Sequence, residues 1–132
     1  MVINSVLSPG ACVERGAVVR DSVIMNDTIV RSGAVVDRCV LDKEIEIGAG
    51  AQVGVGDDMT PNQLEPSNIN TGITIGGKRA RVPAGAPLGR NCRIDPNTIP
   101  EDYDQFPDGG LCLQVSSGAT IRRHEPARDD IA

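Results

Sequence analysis

The residues best suited to hold a ligand are Lys78, Arg79, Arg81, Arg90 and Arg93, five cations within sixteen positions of an otherwise acidic chain. If Arg79 begins one turn and Arg90 lies near the next, several of them converge on one surface. Guanidinium groups grip phosphate through paired hydrogen bonds, so such a surface suits a phosphorylated small molecule. Solvated turn residues are the alternative reading. Lys78, Arg79, Arg90 and Arg93 are the candidate effector or anion-binding set.

Other chemistry is short of residues. His124 is the only histidine and stands in the polar tail RRHEPARDDIA. It cannot supply the base of a hydrolytic triad or of a hexapeptide-type acyltransferase. Nor can it supply the several ligands of a histidine-bound zinc. Cys12, Cys39, Cys92 and Cys112 are scattered, with no CxxC spacing, and read as small reduced residues in or near a core. Asp57 and Asp58 are adjacent carboxylates in a polar stretch, read as solvated. GITIGGKRARV has glycines and cations, but no helix signal follows, so it is not a phosphate-binding P-loop. No catalytic residue and no metal ligand is assigned.

The elements that must position these groups follow from a repeat. From Leu7, aliphatic residues recur every six positions (Leu7, Val13, Val19, Met25), each followed four residues later by Ala11, Ala17, Val23 or Ile29. After a one-residue slip the pattern resumes as Val30 with Ala34 and Val36 with Val40. A second slip gives Leu41 with Ile45, Ile47 with Ala51, and Val53. It returns as Val82 with Ala86, Leu88 with Cys92, and Ile94 with Thr98. Six matches neither the 3.6 period of a helix nor the alternation of a long strand. It matches a coil of very short strands, three flat sides to a turn of about 18 residues, stacked at about 4.8 Å.

The expected fold is all-β, a parallel β-helix, with Val13, Val19, Val23, Ile29, Val40, Ile47, Val53, Val82, Leu88 and Ile94 pointing inward. A β-sandwich would alternate in twos and usually use aromatic core residues, yet aromatics make up 2% of this chain. Fifteen glycines and nine prolines mark frequent turns.

The β-helix domain is expected over residues 1–123. The polar stretch 54–74 is read as a loop leaving one corner. A short cap and last strand, with LCLQV as that strand, are expected within 100–121, and a polar tail over 124–132. A net charge of −5 argues against a general nucleic-acid surface. No apolar run reaches the roughly 18 residues of a membrane span. The start MVINSVLSPG lacks the pattern of a signal peptide, so the cytoplasm is expected.

The runs NSVLSPGACVERGAVVRDSVIMNDTIV, VVDRCVLDKEIEIGAGAQVG and GVGDDMTPNQLEPSNINTGITIGGKRARVPAGAPLGRNCRI resemble the C-terminal β-helix of glucose-1-phosphate adenylyltransferases, also called ADP-glucose pyrophosphorylases. The likeness covers residues 2 to about 99. It implies a left-handed coil, although the usual crossover rule favours the other hand. It implies a role in making ADP-glucose from ATP and glucose 1-phosphate for glycogen or starch synthesis. ATP and Mg2+ would be bound only by an N-terminal nucleotidyltransferase domain that this chain lacks, so the chain itself needs no cofactor and is expected to be inactive. The partners implied are that domain, further copies in a tetramer, and a phosphorylated-metabolite effector. Gly76 departs from the pattern, standing where an aliphatic residue is expected, and Arg79 stands where glycine is common. A stand-alone scaffold or binding module is the main alternative, and a sugar acyltransferase is disfavoured by the missing histidine.

Overall fold

The computed structural model describes residues 1–105 and 117–123. The chain winds in successive turns of three short strands. The first turn holds β1 (Val2–Ile3), β2 (Val6–Leu7) and β3 (Cys12–Val13), and the second β4 (Val18–Arg20), β5 (Val23–Ile24) and β6 (Ile29–Val30). The third holds β7 (Val35–Asp37), β8 (Cys39–Leu41) and β9 (Glu46–Ile47), and the fourth β10 (Gln52–Val53), β11 (Thr74–Gly76) and β12 (Arg81–Val82). Then come β13 (Pro87–Leu88), β14 (Arg93–Ile94), a 3-10 helix over Pro100–Gln105, and β15 (Thr120–Ile121).

Every pairing is parallel and joins a strand to its counterpart in the next turn. Three flat sheets result: β1-β4-β7-β10-β13, β2-β5-β8-β11-β14-β15 and β3-β6-β9-β12. This is a parallel β-helix.

The core is a set of columns inside the coil. Val19, Val36, Val53 and Leu88 stack behind the first sheet, Ile24, Leu41 and Ile94 behind the second, and Val30, Ile47 and Val82 behind the third, all buried. Columns of aliphatics fill a narrow prism without rings, which accounts for the near absence of aromatics. Tyr103, in the 3-10 helix, is fully buried and belongs to the same core cluster.

The repeat differs from the expected one in phase. The first turns are 17 residues long, as the pairings Val2 with Val19, Val6 with Val23 and Cys12 with Ile29 show; Ile75 to Arg93 is 18. The short step occurs at the first corner of each of the first three turns, from Val2 to Leu7, from Val19 to Ile24 and from Val36 to Leu41. There a single left-handed residue (Asn4, Asp21 or Arg38, φ near 50°) reverses the chain. The other two corners use a two-residue turn.

Placing both slips too late misassigned three residues, Val23 and Ile29 at the first and Val40 at the second. Val23 is exposed and Ile29 and Val40 are only half-buried, whereas their neighbours Ile24, Val30 and Leu41 are buried. Val13 is half-buried, near the open end of the coil, and the remaining six residues expected inside are buried.

Hydroxyl groups occupy several small inward positions and serve the corners. Thr28 Oγ1 donates to Asp42 O and accepts from Ile45 N, and Thr74 Oγ1 donates to Gly89 O and accepts from Cys92 N. These bonds tie each corner to the next turn and satisfy buried backbone groups.

Gly76 is also explained. A Cβ there would lie 2.9 Å from Leu41 Cδ2 and 3.1 Å from Ile45 Cδ1. The aliphatic volume missing at Gly76 is supplied by the turn above it.

The stretch between β10 and β11 leaves the first corner and lies against the last turns of the coil. Asn62 and Ile69 are buried there. LCLQV, Phe106, Cys112 and the tail with His124 lie outside the described residues, and the strand seen near the end is β15.

Candidate functional site

The four basic residues occupy different corners and edges. Lys78 and Arg79 form the second corner of the fourth turn and are exposed. Arg79 is left-handed (φ 64°), and its Nε donates to Glu44 Oε2 at 2.7 Å. That hydrogen bond, ahead of the plain attraction of the charge, holds the Glu44 carboxyl below its usual range.

Arg93 stands on the outer surface of the second sheet, its Nε donating to Asp95 at 2.9 Å, with Glu65 of the loop 4.0 Å from its Nη1. Arg90 lies at the first corner, largely buried beneath the loop. Its Nε donates to the carbonyl of Gly56, and its Nη2 is 3.7 Å from Asp37. Arg90 therefore holds the loop root, while Lys78 and Arg79 present the outward-facing charge.

The third sheet carries a charge ladder that the sequence reading missed. Arg31 Nη1 meets Glu14 at 2.9 Å, Arg31 Nη2 meets Glu46 at 2.8 Å, and Arg81 Nε meets Glu46 at 3.2 Å. These pairs floor an open groove of about 350 Å³, walled by Pro83, Ala84 and Pro100. Arg31, above all, and then Arg81 lower the pKa of Glu46. The ladder was legible only through register: Glu46 and Arg81 are 35 positions apart, yet pair directly because the loop intervenes.

The thiols differ sharply. Cys39 is buried, and burial pushes its pKa far above the usual thiol range; burial also pushes Cys92 up to about 11. Cys12 is exposed on the third sheet. Asp58 turns inward on its own loop, accepting from the hydroxyl and amide of Thr60 at 2.6 and 3.0 Å. Among the described residues no three acidic, cysteine or histidine side chains gather as a metal site, and no helix is long and apolar enough to cross a membrane.

Five stacked turns of hexads and pentads, with small residues at the corners, define the class of hexapeptide-repeat β-helices. The model of one such family, described as GlmU-like, C-terminal hexapeptide, matches residues 1–76. The chain belongs to that family, and its coil is a left-handed parallel β-helix.

Among curated proteins it is similar to the glucose-1-phosphate adenylyltransferase of Thermomicrobium roseum, 55% identical over 84 residues, which covers 64% of this chain and 20% of the relative. The enzyme of the same name from Acetivibrio thermocellus is 36% identical over 102 residues, covering 77% of this chain and 24% of the relative. The chain thus spans about a fifth to a quarter of the length of these relatives. Among solved structures it is similar to the acetyltransferase domain of PglB from Neisseria gonorrhoeae, at 23% identity and a TM-score of 0.49, over 96% of this chain and 52% of that one.

Proposed function

We propose that the chain acts as the C-terminal β-helix of a glucose-1-phosphate adenylyltransferase, serving assembly and allosteric control rather than catalysis. The observation that carries this reading is the 55% identity to one such enzyme, confined to a fifth of that enzyme's length. In the whole protein a fused nucleotidyltransferase domain would bind ATP and Mg2+ and form ADP-glucose from glucose 1-phosphate, for glycogen or starch synthesis in the cytoplasm. The β-helix would contribute contacts between copies and a share of a site for a phosphorylated effector.

The described residues support the division of labour. The coil side chains pack inward, their charges pair with one another, and no described loop is built to hold a triphosphate. Lys78 and Arg79, with Arg93 on the adjoining sheet, are the residues offered to an effector phosphate. Arg90 belongs to the set through its support of the loop.

The test is a graft. The matching segment of the Thermomicrobium relative is replaced by this chain, and ADP-glucose formation, subunit assembly and effector response are measured. Assembly and synthesis are expected to survive. A graft that folds but neither assembles nor makes ADP-glucose would overturn the assignment. The isolated chain, given ATP, glucose 1-phosphate and Mg2+, is expected to release no pyrophosphate above background. Sulfate or fructose bisphosphate titrated at low and high salt is expected to bind weakly, and less to a Lys78→Ala, Arg79→Ala variant; equal binding by both would remove the basic corner from the proposal.

A further inference from the structure

The last turn of the coil is made differently from the others. From β14 to β15 the register jumps 27 positions, Ile94 pairing with Ile121. Among the described residues no strand of the first or third sheet accompanies β15, which pairs with β14 alone. A two-residue strand with no companions in its turn has little to hold it.

Besides its pairing with β14 and the burial of Ala119 and Ile121 in the core, it is held by the loop 55–72. Asn62, fully buried, donates from Nδ2 to Ala119 O at 3.3 Å and to Asn91 O at 3.1 Å. Its amide group also meets Thr120 Oγ1, at 3.1 and 3.2 Å. The other side of the same side chain organises the loop, because Oδ1 accepts from Leu64 N and Glu65 N at 3.0 and 3.1 Å.

The backbone contacts run the same way. Gln63 N donates to Gly118 O at 2.9 Å, and Gly118 N to Arg90 O at 2.8 Å. Gly118 is left-handed (φ 84°), and a Cβ on it would come 2.5 Å from Pro61 O. Only glycine lets the loop approach so closely. At the loop root Asn91 repeats the device, accepting from Gly72 N and donating to Met59 O and Thr60 O.

We propose that the loop 55–72 is a latch and Asn62 its bolt: the loop and the terminal turn 117–123 form one cooperative unit that opens and closes together, separately from the repeating coil. Each half supplies the other's hydrogen-bond partners, so a disturbance at either end is felt at both. The rest of the coil is held by buried columns that meet the terminal turn only at their end, where Ile121 lies beside Ile94, which lets the latch open without unwinding it. The loop is thereby a control point for the order of the coil's end.

Residue-level amide exchange on the full chain tests this. In an Asn62→Ala variant the amides of Arg93 and Asp95, which bond to Ala119 O and Ile121 O at 3.0 and 2.9 Å and not to Asn62, are expected to exchange on the order of 10–100 times faster. Met25 and Arg31, bonded within the early turns to Leu41 O and Ile47 O, are expected to keep their rates.

A Thr120→Val variant, altered only on the strand side, is expected to speed exchange at Leu64 and Glu65, whose acceptor on Asn62 is still present. Acceleration confined in each variant to its own side would overturn the proposal. So would acceleration of all amides together, or loss of the whole fold on removing Asn62, since either outcome makes the coil and its last turn one unit.

Discussion

The exchange of volume between Leu41 and Gly76 is a sharp test of how this core is built. Leu41 is fully buried, and its Cδ2 fills the space in which a side chain on Gly76 would begin. Truncation to alanine should cost about 2–5 kcal/mol, from lost burial plus a cavity. Gly76→Ala alone places a methyl 2.9 Å from Leu41 Cδ2 and 3.1 Å from Ile45 Cδ1. The backbone there is not left-handed, so the strain is purely one of packing. Overpacking costs about 1–3 kcal/mol, offset by about 0.4–1 kcal/mol from the stiffer unfolded chain.

In the double variant the new methyl enters space that Leu41 has vacated. The closer of the two contacts is gone, leaving only that with Ile45 Cδ1, and part of the cavity is refilled, at about 0.8 kcal/mol per buried carbon. The two changes together should therefore cost about 1–3 kcal/mol less than the sum of the singles. Urea unfolding followed by circular dichroism measures this, with an unchanged m-value showing that the denatured state is the same. Additivity within about 0.5 kcal/mol would refute the reasoning, as would a Gly76→Ala variant more stable than the parent.

Two further outcomes follow from the thiols and the charge ladder. In the native protein a thiol reagent near pH 8, with the modified positions mapped by mass spectrometry, should label the exposed Cys12 well before Cys39 and Cys92. Burial hinders access to both and raises both pKa values; early labelling of Cys39 in folded protein would contradict the core placement. Arg31, above all, and Arg81 lower the pKa of Glu46, so its contribution is present above the unfolded carboxylate pKa of about 4.3. It is lost as the pH falls through the lower folded value. Glu46→Gln should cost less than about 1 kcal/mol at pH 7, and the gap to the parent should narrow in thermal melts toward pH 3; a gap that widens would reverse the sign of the argument.

The sequence by itself determined the fold class. A six-residue period in Val, Ile, Leu and Ala leaves a hydrophobic chain with few aromatics one way to bury itself, as stacked short sides. Glycines such as Gly16, Gly33 and Gly50, all left-handed at one corner (φ 71–79°), marked turns that the repeat could already place. The family resemblance added the winding hand, which periodicity leaves open because a mirror-related coil has the same spacing.

Only the tertiary structure decided the phase. Asp21 and Arg38 adopt the left-handed backbone usually left to glycine, shortening their corner by a residue and sending Ile24 inward in place of Val23. Only the tertiary structure, too, separated Lys78 and Arg79 from Arg90, and set Glu46 against Arg81 across 35 positions. The reason is common to all of these. Contacts in a coil run between turns, and how far apart two contacting residues stand in sequence depends on every corner and loop between them. The period names the neighbours in kind, and the summed lengths of the turns decide which residues they are.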